Sequence, residues 1–175
     1  TIGYAAPGAV LGIGILVPLG FFDNWLADQI FGLTRYDTGL ILTGTAFAII
    51  LAYCVRFFSI AQQTVDGALG RVSPSLPNAA RSLGRNKFQV LWEIYRPLIS
   101  ASTATALLLV FVDCVKELPA TMLLRPFNFE TLATRVHVQA SLEDLPNAAP
   151  GAILIVLIGL CAVFLLARVT KQSSN

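Results

Sequence analysis

Four runs of this sequence, 5–22, 39–58, 98–115 and 149–168, are apolar over 18 to 20 residues. Between them they carry three charged side chains: Arg56, Asp113 and Arg168. An α-helix rises about 1.5 Å per residue, so about 20 apolar residues cross the hydrocarbon layer of a bilayer. Core helices of a large soluble protein can be equally apolar, but they need polar cover elsewhere, and this chain has little. Charged residues make up 13% of its 175 positions and hydrophobic ones 55%, where a soluble domain has about 25% charged. Mean hydropathy is +0.71. Stretches such as 107–112 and 153–158 are continuously apolar, whereas strands of a membrane barrel alternate. The expectation is an all-α integral membrane protein of about four transmembrane helices. A shorter apolar run, 118–124, is too brief to span.

The sequence opens on Thr1, and its first 22 residues are uncharged. A secretory leader carries a basic segment before its apolar core; none is visible, so the chain is expected to be cut from a longer protein. Cys54, Cys114 and Cys161 follow no metal or redox spacing and are expected to pack as small apolar side chains. His137 is the one histidine, and a lone imidazole makes a poor metal site. No metal site is expected.

Charge on the connecting segments orients the spans, because the cytoplasmic side holds the excess of Lys and Arg. The stretch from Arg56 to Arg96 together with the tail carries eight basic residues: Arg56, Arg71, Arg81, Arg85, Lys87, Arg96, Arg168 and Lys171. Four lie on the other side: Arg35, Lys116, Arg125 and Arg135. Acids run oppositely, with only Asp66 and Glu93 on the first side. The loop 59–97 and the C-terminus are therefore expected in the cytoplasm, and the segment 116–148 outside. Asn147 is a candidate N-cap for the fourth span, with Pro150 in its first turn.

Within the loop, Ser73-Pro74-Ser75-Leu76-Pro77-Asn78 supplies turn and capping residues. Ala79-Ala80-Arg81-Ser82-Leu83 favours helix, with Asn78 as a candidate cap and Gly84 as its stop. A second helical stretch, 88–94, leads to Pro97, which is expected to open the third span. Two short helices joined at a glycine make a projection suited to a groove on a partner. Here the sequence resembles the permeases of ABC importers. Their cytoplasmic loop reads Glu-Ala-Ala, three residues, Gly, nine residues, Ile, one residue, Leu-Pro. This chain has Asn78-Ala79-Ala80, then Gly84, then Ile94, then Arg96-Pro97, in the same register. Asn78 replaces the Glu and Arg96 the Leu. The resemblance makes Asn78, Ala79, Ala80, Arg81, Leu83, Gly84, Ile94 and Pro97 the loop that couples to an ATPase subunit.

A second likeness narrows the group. Asp113-Cys114-Val115-Lys116-Glu117-Leu118-Pro119-Ala120-Thr121, Leu124-Arg125-Pro126-Phe127 and Thr131-Leu132-Ala133-Thr134-Arg135 resemble a segment of Fe(III) importer permeases. So do Gly3-Tyr4-Ala5-Ala6-Pro7-Gly8 and Ser73-Pro74-Ser75-Leu76. The resemblance implies a bacterial inner-membrane importer subunit, similar to the last four helices of such a permease. It implies a cytoplasmic ABC ATPase, a periplasmic or extracellular substrate-binding protein and the remaining permease as partners.

Asp113, Lys116 and Glu117 share one helical face at the end of a span. Asp113 and Lys116 are spaced to pair, and ionisable groups at membrane depth are candidates for a pathway or gate. The alternative is an interfacial ion pair that anchors the helix end. A short amphipathic helix is expected over 131–142. No Gly-x-x-x-x-Gly-Lys-Ser/Thr loop occurs, so ATP is expected on the partner and no cofactor on this chain. Ser100, Ser102, Thr103 and Thr105 have no base nearby in sequence, so no enzymatic activity is expected. No nucleic-acid partner is expected. The competing function is an ion-coupled secondary transporter, with Asp113 and Lys116 as relay groups.

Overall fold

The computed structural model describes residues 5–173, with side chains through Arg168. Gly3, Tyr4 and the Lys171 side chain, which entered the expectations above, lie outside the described residues. Regular structure among the described residues is helical: α1 (Gly8–Thr34), α2 (Ala46–Leu69), α3 (Ser75–Ser82), α4 (Lys87–Val90), a π-helical turn (Leu91–Tyr95), α5 (Arg96–Lys116), α6 (Pro119–Leu124), α7 (Leu132–Ser141) and α8 (Leu145–Ser173). Four helical stretches are long and apolar enough to cross a membrane: Gly8–Thr34, Ala46–Leu69, Lys87–Lys116 and Leu145–Arg168. Large apolar side chains are exposed along all four, including Phe21, Phe58, Phe111 and Phe164. A surface of this kind is suited to lipid rather than water.

The chain divides into two compact units. One comprises residues 1–59 and 113–158, and the other 60–112 and 159–175. In the first, Leu11 and Leu19 of α1 form a core with Ala48, Ile49 and Ala52 of α2 and Leu124 of α6. Close approach of α1 to α6 depends on two glycines one turn apart. A Cβ on Gly12 would stand 3.0 Å from Leu123 Cδ1, and one on Gly8 would stand 2.7 Å from Glu117 Oε1. Small residues at i and i+4 let membrane helices meet backbone to backbone. Gly8→Val and Gly12→Val are each expected to lower stability by about 1–3 kcal/mol through overpacking. Gly14, with nothing within 4 Å of its Cβ position, is expected to accept Ala without loss. Melting temperatures of the three variants in detergent check this.

The helices overrun the apolar runs of the sequence, for identifiable reasons. α1 continues past Phe22 to Thr34 because Asp23 is fully buried with its carboxylate satisfied. Its Oδ1 accepts from the N–H of Ile41 (2.8 Å) and Leu42 (3.1 Å). Its Oδ2 accepts from Leu42 (2.9 Å) and Thr43 (2.6 Å). Those N–H groups are thereby withdrawn from helix, and Gly44 turns the chain at φ +76°. α2 accordingly begins at Ala46 rather than near 39, and it runs on to Leu69, eleven residues beyond the apolar run. Asn147 does not cap α8. That helix starts at Leu145, and the Asn147 amide donates to Asp144 Oδ2 at 2.8 Å within the first turn. Pro150 falls in the second turn. Cys54 and Cys161 are exposed in this chain, against expectation, whereas Cys114 is half-buried.

Candidate functional site

The loop between the second and third spans lies in the second unit. α3 is stopped by Gly84, two residues past its last residue Ser82, at a φ of +83° that an L side chain rarely adopts. Arg85 N–H donates to Ala80 O and Gly84 N–H to Arg81 O, both at 3.0 Å. This is the paired bonding of a Schellman stop, and it fixes why glycine stands four residues after Ala80. The next helix starts at Lys87, with Asn86 as its cap. Asn86 Oδ1 accepts from Gln89 N–H (2.8 Å), and Gln89 Oε1 accepts from Asn86 N–H (3.0 Å), a reciprocal cap. Arg85 pairs with Glu93 across the turn at 3.2 Å.

Two expectations about this loop are corrected. Asn78 is inside α3 rather than at its start; Pro74 holds the cap position, without a side-chain bond. Pro97 does not open a separate span either. It removes the N–H that would bond Glu93 O, and the preceding π turn absorbs that loss: Arg96 N–H reaches back to Leu91 O. The helix is therefore continuous from Lys87 to Lys116. Of the loop residues singled out in the sequence, Asn78, Ala79, Arg81, Leu83, Gly84 and Pro97 are exposed, while Ala80 and Ile94 are half-buried. Leu83 is 84% exposed and Phe88 68%, so the turn presents apolar side chains outward.

The charged residues at the end of the third span lie in the first unit, and the structure brings all three together. Lys116 Nζ is 2.7 Å from Asp113 Oδ1, the pairing expected from their spacing. Glu117 turns instead to Arg56, with Arg56 Nε 3.2 Å from Glu117 Oε2. Both side chains are largely buried, at 17% and 7% exposure. The Nε–H is not aimed along that line, so the contact is ionic rather than a directed hydrogen bond. Arg56 Nη1 also donates to Ala6 O at 3.2 Å. Glu117 Oε1 accepts from Ala120 N–H at 3.2 Å. One turn from the pair on α2, the Tyr53 hydroxyl meets Thr121 Oγ1 at 2.6 Å. Arg56, Phe57, Asp113, Lys116 and Glu117 line a cavity of about 260 Å3.

Arg56 was not among the expected site residues. Its signal was available, since it is the single charge inside the second apolar run, and a charge there needs a partner. The sequence-based division counted it with the cytoplasmic loop. The structure instead places it near the middle of α2, against a glutamate that the division put on the other side. Arg71, Arg81, Arg85, Lys87, Arg96 and Arg168 stay outside that pair. Among the described residues, no three His, Cys, Asp or Glu side chains gather as a metal-ligand set.

Known proteins align along nearly the whole chain. It is 30% identical over 165 residues to the Fe(3+)-transport system permease protein FbpB 2 of Haemophilus influenzae, covering 94% of this chain and 29% of that protein. It is 27% identical over 150 residues to the ferric transport system permease protein FbpB of Actinobacillus pleuropneumoniae, covering 84% and 21%. It is 24% identical over 174 residues to the sulfate transport system permease protein CysT of Escherichia coli, covering 97% and 60%. The chain thus spans between about a fifth and three fifths of the length of these relatives. No family model matches it.

Proposed function

We propose that this chain, which is homologous to transport system permease proteins, forms part of the membrane pathway of an ATP-driven ABC importer for ferric iron. The observation that carries the coupling role is the turn at Gly84: two capped helices meet there and hold Leu83 and Phe88 outward. An exposed apolar turn on a short helical projection fits a groove on a partner, and the partner proposed is a cytoplasmic ABC ATPase subunit. That assignment places residues 70–86 and the C-terminus in the cytoplasm, in keeping with the basic residues Arg71, Arg81 and Arg85. ATP binds and is hydrolysed on the partner. A periplasmic or extracellular binding protein delivers the substrate, and the remaining permease completes the pathway.

Transport then proceeds by alternating access, in which nucleotide-driven closure of the ATPase subunits moves the Gly84 turn and the spans follow. Asp113, Lys116, Glu117 and Arg56 contribute a charged constriction on that pathway. Iron as the substrate rests on the relatives whose names carry it and on the likeness of residues 113–135. The selecting step belongs to the binding protein.

The test is co-purification of the full-length permease with its ATPase, joined to ATP-driven iron uptake in proteoliposomes. In Gly84→Asp, the new side chain meets open space, and Asp tolerates a left-handed backbone better than most residues. The variant is expected to fold, to lose the ATPase and to lose uptake. Normal uptake in both Gly84→Asp and a bulky Ala80 variant would remove the docking role. Uptake by the wild type without ATP would turn the assignment to an ion-coupled secondary transporter.

A further inference from the structure

We propose that the cavity between α7 and the first turns of α8 binds the headgroup of an anionic membrane phospholipid. The site lies within the first unit and shares no lining residue with the cavity at the Arg56–Glu117 pair. Its origin is a close crossing: a Cβ on Gly151 would stand 2.6 Å from Val136 Cγ2, so the two helices touch there and leave a hollow around the contact. The hollow measures about 310 Å3, within the range of small-molecule sites, about 300–1,000 Å3. Its lining is divided in character. Arg135, Gln139 and Asn147 supply polar groups, and Leu132, Val136 and Leu154 supply an apolar wall.

Three observations select the occupant. The wall belongs partly to the opening turns of a helix long and apolar enough to cross the membrane, which is the depth of headgroups and the first acyl carbons. Arg135 lines the hollow and has no carboxylate partner among the described residues. A guanidinium in that position offers a planar fork to a phosphate. The neighbouring acid, Asp144, is already held by the Asn147 amide at 2.8 Å. A soluble phosphate would use the polar groups alone and gain nothing from the apolar wall. A phospholipid uses both, and one without a cationic headgroup leaves no positive charge competing with Arg135.

The experiment is native mass spectrometry of the delipidated full-length permease, resupplied with equal amounts of phosphatidylglycerol and phosphatidylcholine. Wild type is expected to retain phosphatidylglycerol several-fold over phosphatidylcholine, and a large excess of inorganic phosphate is expected to leave that ratio unchanged. Arg135→Gln, a change at an exposed side chain, is expected to bring the ratio to unity. Arg125→Gln, whose arginine pairs with Glu130 outside the cavity, is expected to keep it. An unchanged ratio in Arg135→Gln, or no preference in wild type, overturns the site. Displacement of the lipid by phosphate overturns the lipid assignment in favour of a soluble anion.

Discussion

Arg56→Ala is expected to cost about 3–5 kcal/mol, because it strands the Glu117 carboxylate in a buried position without its counter-charge. The same substitution removes the donor to Ala6 O and opens space beside Gly8. A loss of that size lowers the melting temperature well beyond the 2–4 °C that about 1 kcal/mol produces in a chain of this length. Glu117→Ala is expected to cost as much, and also to leave Ala120 N–H without its acceptor. The double variant Arg56→Met, Glu117→Gln is expected to recover most of the loss, since an apolar and a neutral group at these positions need no counter-charge. Melting curves in detergent for the two single variants and the double decide the matter. Additive losses in the double variant would show that packing, rather than charge compensation, sets the cost.

The second large effect is at Asp23, and it is expected to behave in the opposite way. Asp23→Ala leaves the N–H groups of Ile41, Leu42 and Thr43 without their acceptor, at about 1–3 kcal/mol for each that stays buried. Asp23→Leu is expected to be no better, because the deficit lies in the loop backbone and an apolar side chain cannot accept. Asp23→Asn keeps one acceptor oxygen and is expected to fall between wild type and Ala. Limited proteolysis at residues 35–45, read beside the melting curve, checks the mechanism. If Asp23→Leu melts like wild type, the backbone bonds are not what holds the loop.

These two positions mark the boundary of what the sequence discloses. The apolar runs are local counts, so the number of spans can be read directly. The stop at Gly84 is local too, since Ala80 to Gly84 is one turn and a glycine. Asn86-x-x-Gln89 is equally readable as a reciprocal cap, although the expectations above rested on Asn78 instead. Asp23 is different, because its acceptors are satisfied by groups 18 to 20 residues further on. A carboxylate after an apolar run reads as the end of a span until that partner is known. Arg56 and Glu117 are farther apart still, and nothing in either local pattern names the other. Asp113 and Lys116, three residues apart, were legible as a pair. The distinction is one of sequence distance: contacts within a turn show in the sequence, and contacts between helices do not.

The π turn before Pro97 has a mechanical consequence. A proline in a helix commonly leaves a kink at which neighbouring segments swivel. Here the wide turn absorbs the missing bond, and the helix contains no glycine from Lys87 onward. From Lys87 to Val112 the helical run is roughly 39 Å long at 1.5 Å per residue. A proline and a π turn are both places where helices bend, so a push on Phe88 reaches Leu107 through a hinge point at residues 91–97.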